Sequence, residues 1–175
     1  DDMFISVDNN VSKTRATDSG AGTTFASGDA IGIFAVKQDG TLALANTKFT
    51  YDGTQWLNGN SANYLPYYDG AKYFAYYPYQ KDLTNDKYDI TKTTAENFFG
   101  TLISTWAPAA DQSTQAKYTS QDLMVSMAAI DVSKGFTFSM SHEMSMIEFD
   151  LPQYHYTYGG ADIYRFTFNI VKPFN

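Results

Sequence analysis

The chain has no cysteine, only two histidines, and few charges for its length, with Lys, Arg, Asp and Glu making up 18% of its 175 residues. Without cysteine there is neither a disulfide framework nor a thiolate metal site, and the composition suits a reducing or an oxidising compartment alike. The net charge of -7 excludes the basic footprint of a nucleic-acid-binding domain, and so low a charge density excludes a solvated, disordered chain. No apolar run approaches the ~20 residues that span a bilayer. Asp1 and Asp2 open the sequence with neither a basic segment nor an apolar one behind it, so a mature or trimmed form is expected, from which any signal peptide and lipid-bearing cysteine have been removed.

Aromatic residues are abundant instead: 14 Tyr, 13 Phe and 2 Trp, or 17% of the chain. Such side chains favour strands over helices. The length suits one domain, or one core plus a sizeable extension.

Met3, Phe4, Ile5, Ser6 and Val7 alternate weakly and precede a polar stretch, residues 8–22, with almost nothing apolar in it. This reads as a strand on a tether. Residues 30–36 form a compact apolar run between two turn-forming clusters, as a buried strand does. In residues 48–57 the Asp52-Gly53 pair predicts a two-residue type I′ hairpin. Phe49 would then lie opposite Trp56, and Tyr51 opposite Thr54.

Residues 64–79 hold seven Tyr, and their second half is dense enough to be a strand with aromatics on both faces, ended or placed at an edge by Pro78. Residues 82–94 read as a surface loop, and residues 95–104 as either a short helix or a strand. Leu123, Met124 and Val125 begin a new apolar run. Phe136, Phe138 and Met140 alternate with polar residues, as do Ile147, Phe149 and Leu151, with a turn or a single helical turn over residues 142–145 between the two strands. Tyr164, Phe166, Phe168 and Ile170 give the most regular alternation. About seven short strands and no long amphipathic helix predict an all-β, antiparallel β-sandwich with long polar loops and at most one short helix.

Chemistry-bearing patterns are scarce. His142 and His155, with Pro152 between them, lack helical metal-ligand spacing, and His142 reads as a turn residue packing beside Phe138 and Met144. Carboxylate pairs such as Glu143 with Glu148 fit solvated strand faces. No nucleophile elbow, phosphate loop or dinucleotide fingerprint occurs, so no enzymatic activity and no cofactor is expected. The tyrosines, Tyr67, Tyr68, Tyr76 and Tyr77 among them, suit either core packing or a surface for protein or glycan, since tyrosine joins an apolar face to a polar tip. Arg15-Ala16, in the exposed tether, offers a trypsin-like protease a site.

Four segments in order, Lys13-Thr14-Arg15-Ala16, residues 28–35, residues 72–79 and Asp122-Leu123-Met124 followed by residues 136–142, resemble the fimbrillin family of Bacteroidales. The resemblance implies a transthyretin-like β-sandwich, usually two domains, exported as a lipoprotein to the outer membrane and the extracellular fimbrium. This chain would be an N-terminal domain or a short member, and its end over residues 164–171 departs from the two-domain pattern. Assembly in that family proceeds by strand replacement. Carried over, Arg15 and Ala16 flank the cleaved bond, residues 1–15 are a leader strand and tether, Met3, Phe4, Ile5, Ser6 and Val7 are the removable strand, and residues 16–175 are one sandwich domain. The expected partners are other fimbrial subunits, with a host or bacterial surface protein or glycan besides, and a membrane is reached only through a lipid anchor outside this chain. The leading expectation is a non-catalytic stalk, tip or anchor subunit; the alternative is a monomeric surface lipoprotein that binds glycan or protein.

Overall fold

The computed structural model describes residues 2–9, 25–59, 63–111, 114, 117, 120–144, 157–158 and 161–162. Contacts divide the chain into two units, Asp1–Ser145 and Met146–Asn175. In the second, strands Thr157–Tyr158 and Ala161–Asp162 pair antiparallel. The alternating segments at residues 147–151 and 164–170, His155, and the Arg15-Ala16 site lie outside the described residues.

The first unit is nearly all β. Its strands are β1 (Asp2–Asn9), β2 (Ala30–Val36), β3 (Leu42–Tyr51), β4 (Trp56–Leu57), β5 (Tyr64–Pro66), β6 (Lys72–Tyr77), β7 (Met124–Met127), β8 (Ala129–Asp131) and β9 (Gly135–His142). They form a nine-stranded sheet in the order β4-β3-β2-β6-β7-β9-β1-β5, with β8 beside β9. The sheet folds over as an almost closed sandwich. Every pairing in it is antiparallel except that of β1 with β9, which is parallel.

β2 from Ile31 and β6 from Tyr73 are buried to their ends without a charged residue because both of their faces are covered, as in sheets packed on two sides. Ile31, Ile33 and Ala35 of β2 join Tyr73, Ala75 and Tyr77 of β6 in one core, inside the sandwich, with Met3, Ile5, Leu65, Phe136, Phe138 and Met140. Phe34, Val36, Phe74 and Tyr76 face the opposite way, into a second core. Two short helices, α1 (Ala95–Phe98) and α2 (Gly100–Thr105), cover that face. Residues 95–104, readable as helix or strand, are thus helical, and among the described residues the α-helices number two, not at most one. The Thr94 side chain caps α1 by accepting from the Asn97 N–H, a standard N-cap contact. Phe98 stacks on Phe74 with ring centroids 4.2 Å apart, and Leu102 is buried beside them.

Two local expectations are corrected. Tyr51, not Phe49, lies opposite Trp56, so the β3–β4 loop holds four residues rather than two. The Asp52 carboxylate accepts from the N–H groups of both Thr54 and Gln55 at 2.8 Å, while the Asp52 N–H donates to the Gln55 carbonyl. This side-chain-capped turn outcompetes the tighter type I′ loop. The aromatic pair survives in the shifted register as Tyr51 against Trp56, 5.1 Å apart. His142 is likewise not in a turn: it ends β9, paired with Met124.

Candidate functional site

β1 changes partner along its length. Asp2, Met3 and Phe4 pair antiparallel with Pro66, Leu65 and Tyr64 of β5. From Ile5 to Asn9 the strand pairs in parallel with Phe136 through Met140 of β9. The Ile5 N–H also donates to the Asn63 carbonyl at 3.3 Å, and the Ser6 hydroxyl meets that of Thr137 at 3.2 Å. β1 therefore fills a slot between two strands that, among the described residues, have no other partner on that side.

The side chains of β1 divide with a period of two, as strand geometry requires. Met3 and Ile5 are buried, and Val7 is half-buried against the same core. Phe4 is 66% exposed, and its ring lies edge-on to Tyr64. Burial of Met3 and Ile5 stabilises the seated strand by about 1.5–3 kcal/mol each. Take β1 away and the edges of β5 and β9 become unpaired rows of backbone donors and acceptors above an open apolar floor of Leu65, Phe136 and Phe138. Such an edge is a template for another strand.

The rim of this slot is anchored through Tyr73. Its hydroxyl accepts from the Tyr68 N–H at 2.9 Å and donates to the Pro66 carbonyl at 2.8 Å, tying β5 and the following turn to β6. Burial pushes the Tyr73 phenol up to about 12. Across the core its ring meets Phe136 of β9 at 4.3 Å. One side chain thus braces both walls.

The tyrosines named from sequence separate cleanly. Tyr67 and Tyr68 are half-exposed: Tyr67 donates to Asp69, which raises its phenol above the ordinary tyrosine range, and the Lys37 ammonium lies 4.9 Å from the Tyr68 ring. Tyr76 and Tyr77 are 0% and 4% exposed, so as surface contact residues they are withdrawn; β6 lies deep in the sheet with both faces packed. Burial raises both phenols. The Tyr76 hydroxyl donates to Asn46 at 2.7 Å and accepts from the Gln80 N–H at 3.0 Å, and the Tyr77 hydroxyl donates to Asp29.

One contact was missed in the sequence. His142 Nδ1 lies 2.5 Å from Asp122 Oδ2, with both side chains about nine-tenths buried. It joins the end of β9 to the residue just before Leu123, and the signal for it was the pairing of the two motifs that hold Asp122 and His142. Among the described residues no group of three His, Cys, Asp or Glu side chains could hold a metal. A cleft of about 310 Å³ beside α2 has a mixed lining, with Lys81, Lys87 and Thr105 beside Leu102 and Trp106.

The model of the family described as fimbrillin-like matches residues 14–174. A candidate fimbrium tip subunit of Bacteroides ovatus, Fim1C, is 35% identical over 158 residues, 87% of this chain and 29% of that protein. The crystal structure of a fimbrial protein from Bacteroides ovatus is 33% identical with a TM-score of 0.61, covering 81% of this chain and 28% of that one. A candidate cell adhesion protein from Bacteroides uniformis is 20% identical with a TM-score of 0.42, over 81% of this chain and 48% of that one, a likeness too loose to add to the fold. The chain spans less than a third of the curated relative it matches.

Proposed function

The chain belongs to the fimbrillin-like family, and from that premise we propose that it is the strand-accepting part of a non-catalytic fimbrial subunit, built into a surface fibre by exchange of β1. Cleavage between Arg15 and Ala16 frees residues 1–15, β1 leaves, and a strand of a neighbouring subunit takes its place between β5 and β9. The remaining sandwich, residues 16–175, stays folded as the structural body. Other fimbrial subunits are the partners, and the product works outside the cell after export as a lipoprotein precursor to the outer membrane. A place at the fibre tip is the reading that the 35% identical tip-subunit relative favours.

The observation that carries this reading is the seat of β1: a short strand with Met3 and Ile5 buried, wedged between two strands that pair with no other described strand on that side. Strand addition draws affinity from main-chain hydrogen bonds and specificity from alternate side-chain pockets, and this slot supplies both. The family match beginning at residue 14, downstream of β1, fits a leader separable from the body.

The test starts from the full chain treated with an arginine-specific protease, for which the sequence offers only Arg15 and Arg165. The nicked chain is then mixed with a fluorescent nine-residue peptide of the sequence from Asp1 to Asn9. Uptake of the peptide with loss of the original fragment is the expected result. A nicked chain that keeps its own fragment and takes up no peptide overturns strand replacement in favour of a monomeric binding module.

A further inference from the structure

Gly135, the first residue of β9, has φ +99°, and a Cβ placed there would come 2.1 Å from the Phe4 carbonyl oxygen, 2.9 Å from its carbon and 3.2 Å from its nitrogen. All three neighbours are backbone of β1, which cannot swing aside as a long side chain can. A positive φ alone already favours glycine. Here the missing side chain also leaves the space through which the main chain of β1 passes.

We propose that Gly135 is the gate of the strand slot: its bare α-carbon admits the backbone of whichever strand occupies the seat and fixes where along β9 that strand begins. The proposal rests on the strand-replacement reading for the identity of the incoming strand, but the gate itself is a property of the intact chain. Because the gate touches only main-chain atoms, it reads position and not sequence. Sequence is read by the pockets holding Met3, Ile5 and Val7, while Phe4, Ser6 and Asp8 point to solvent. The partner that fits is therefore a strand of a neighbouring subunit with apolar residues at three alternate positions and free choice between them. A slip of one residue would put the outward set, Ser6 and Asp8 included, into the core.

Gly28 provides a matched control, with φ +100° and nothing within 4 Å of its Cβ position. Gly28→Ala places a Cβ at nearly the same positive φ as Gly135→Ala, without the collision. Hydrogen exchange on the intact chain compares the two. In Gly135→Ala the amides of β1 are expected to lose protection by about tenfold or more while those of β2 and β6 keep theirs, and in Gly28→Ala β1 stays protected. Unchanged β1 protection in Gly135→Ala overturns the gate, and so does equal loss across β2 and β6, because the gate acts on β1 alone.

Peptide uptake by the nicked chain tests the partner class. The peptide with Phe4, Ser6 and Asp8 replaced by Thr should enter as the parent does, and one with Ile5→Asp should not; entry of the Ile5→Asp peptide overturns the pocket pattern. If wild-type chain takes up no peptide at all, strand replacement fails, while the exchange comparison still decides the gate.

Discussion

β6 and β1 are both strands of one sheet, yet they are held in different ways. Tyr73 through Tyr77 of β6 are all buried, alternate residues serving two cores, and hydrogen-bonded strands flank it on both sides in antiparallel register. β1 buries one face only and leaves Phe4 in solvent. Its longer pairing, with β9, is parallel, the arrangement that is slightly less stable per residue. Losing β6 would dismantle both cores, whereas losing β1 opens one groove. β6 and β1 thus differ in how many faces they bury, and the proposed exchange falls to the strand that buries one.

Phe74→Ala is the heaviest blow to that contrast. It removes a fully buried ring stacked on Phe98 and should cost about 3–5 kcal/mol, seen as a lowered midpoint in denaturant unfolding followed by circular dichroism. Ile5→Ala, on β1, should cost about 2 kcal/mol, at the low end for such truncations because its strand can lift away on its own. The exchange of β1 amides should rise more than that of β6 amides. If both strands respond equally, the separability of β1 is wrong.

Alkaline pH sharpens the comparison from the β6 side. Burial raises the phenols of Tyr73, Tyr76 and Tyr77 above the ordinary 10.0, that of Tyr73 to about 12. The unfolded chain loses these protons first, so the native state binds more protons above pH 10 and stability falls as pH rises from there through the folded values. Thermal unfolding midpoints should hold steady from neutral pH to about 10 and drop between about 10 and 12. Tyr73→Phe should shallow that drop at the cost of about 1 kcal/mol at neutral pH for its lost hydrogen bonds. The smallest effect belongs to the outer face of β1: Phe4→Ala should change stability by no more than about 0.5–1.5 kcal/mol, the range of its edge contact with Tyr64.

The same division decides what the sequence could reveal. β2, β6 and β9 were legible because burial on two faces writes a continuous apolar run, and burial on one face writes a strict alternation, in Phe136, Phe138 and Met140. β1 could be recognised as a strand, but its partner could not: Ser6 and Phe136, joined by a hydrogen bond, are 130 positions apart, and nothing local encodes a pairing at that distance. The β3–β4 register was misjudged because the Asp52 carboxylate, not the Asp-Gly backbone alone, sets the turn. In the Tyr-rich segment composition could not say which rings face solvent; the two-sided packing of β6 buries Tyr76 and Tyr77 and leaves Tyr67 and Tyr68 half-exposed. Gly135 carried no signal of its own in the sequence, since its role lies in what crosses above it. Asp122 and His142 stood in neighbouring motifs, and only the antiparallel pairing of β7 with β9 brings them together.

The most direct test of β1 as an exchangeable strand is native-state hydrogen exchange on the unmodified chain, resolved strand by strand across low denaturant. The account predicts that β1 amides exchange through a local opening, with a lower free energy and a weaker denaturant dependence than the amides of β6, which wait for global unfolding. Coincident free energies and slopes for the two strands would mean that β1 leaves only when the whole sandwich does, and would contradict it.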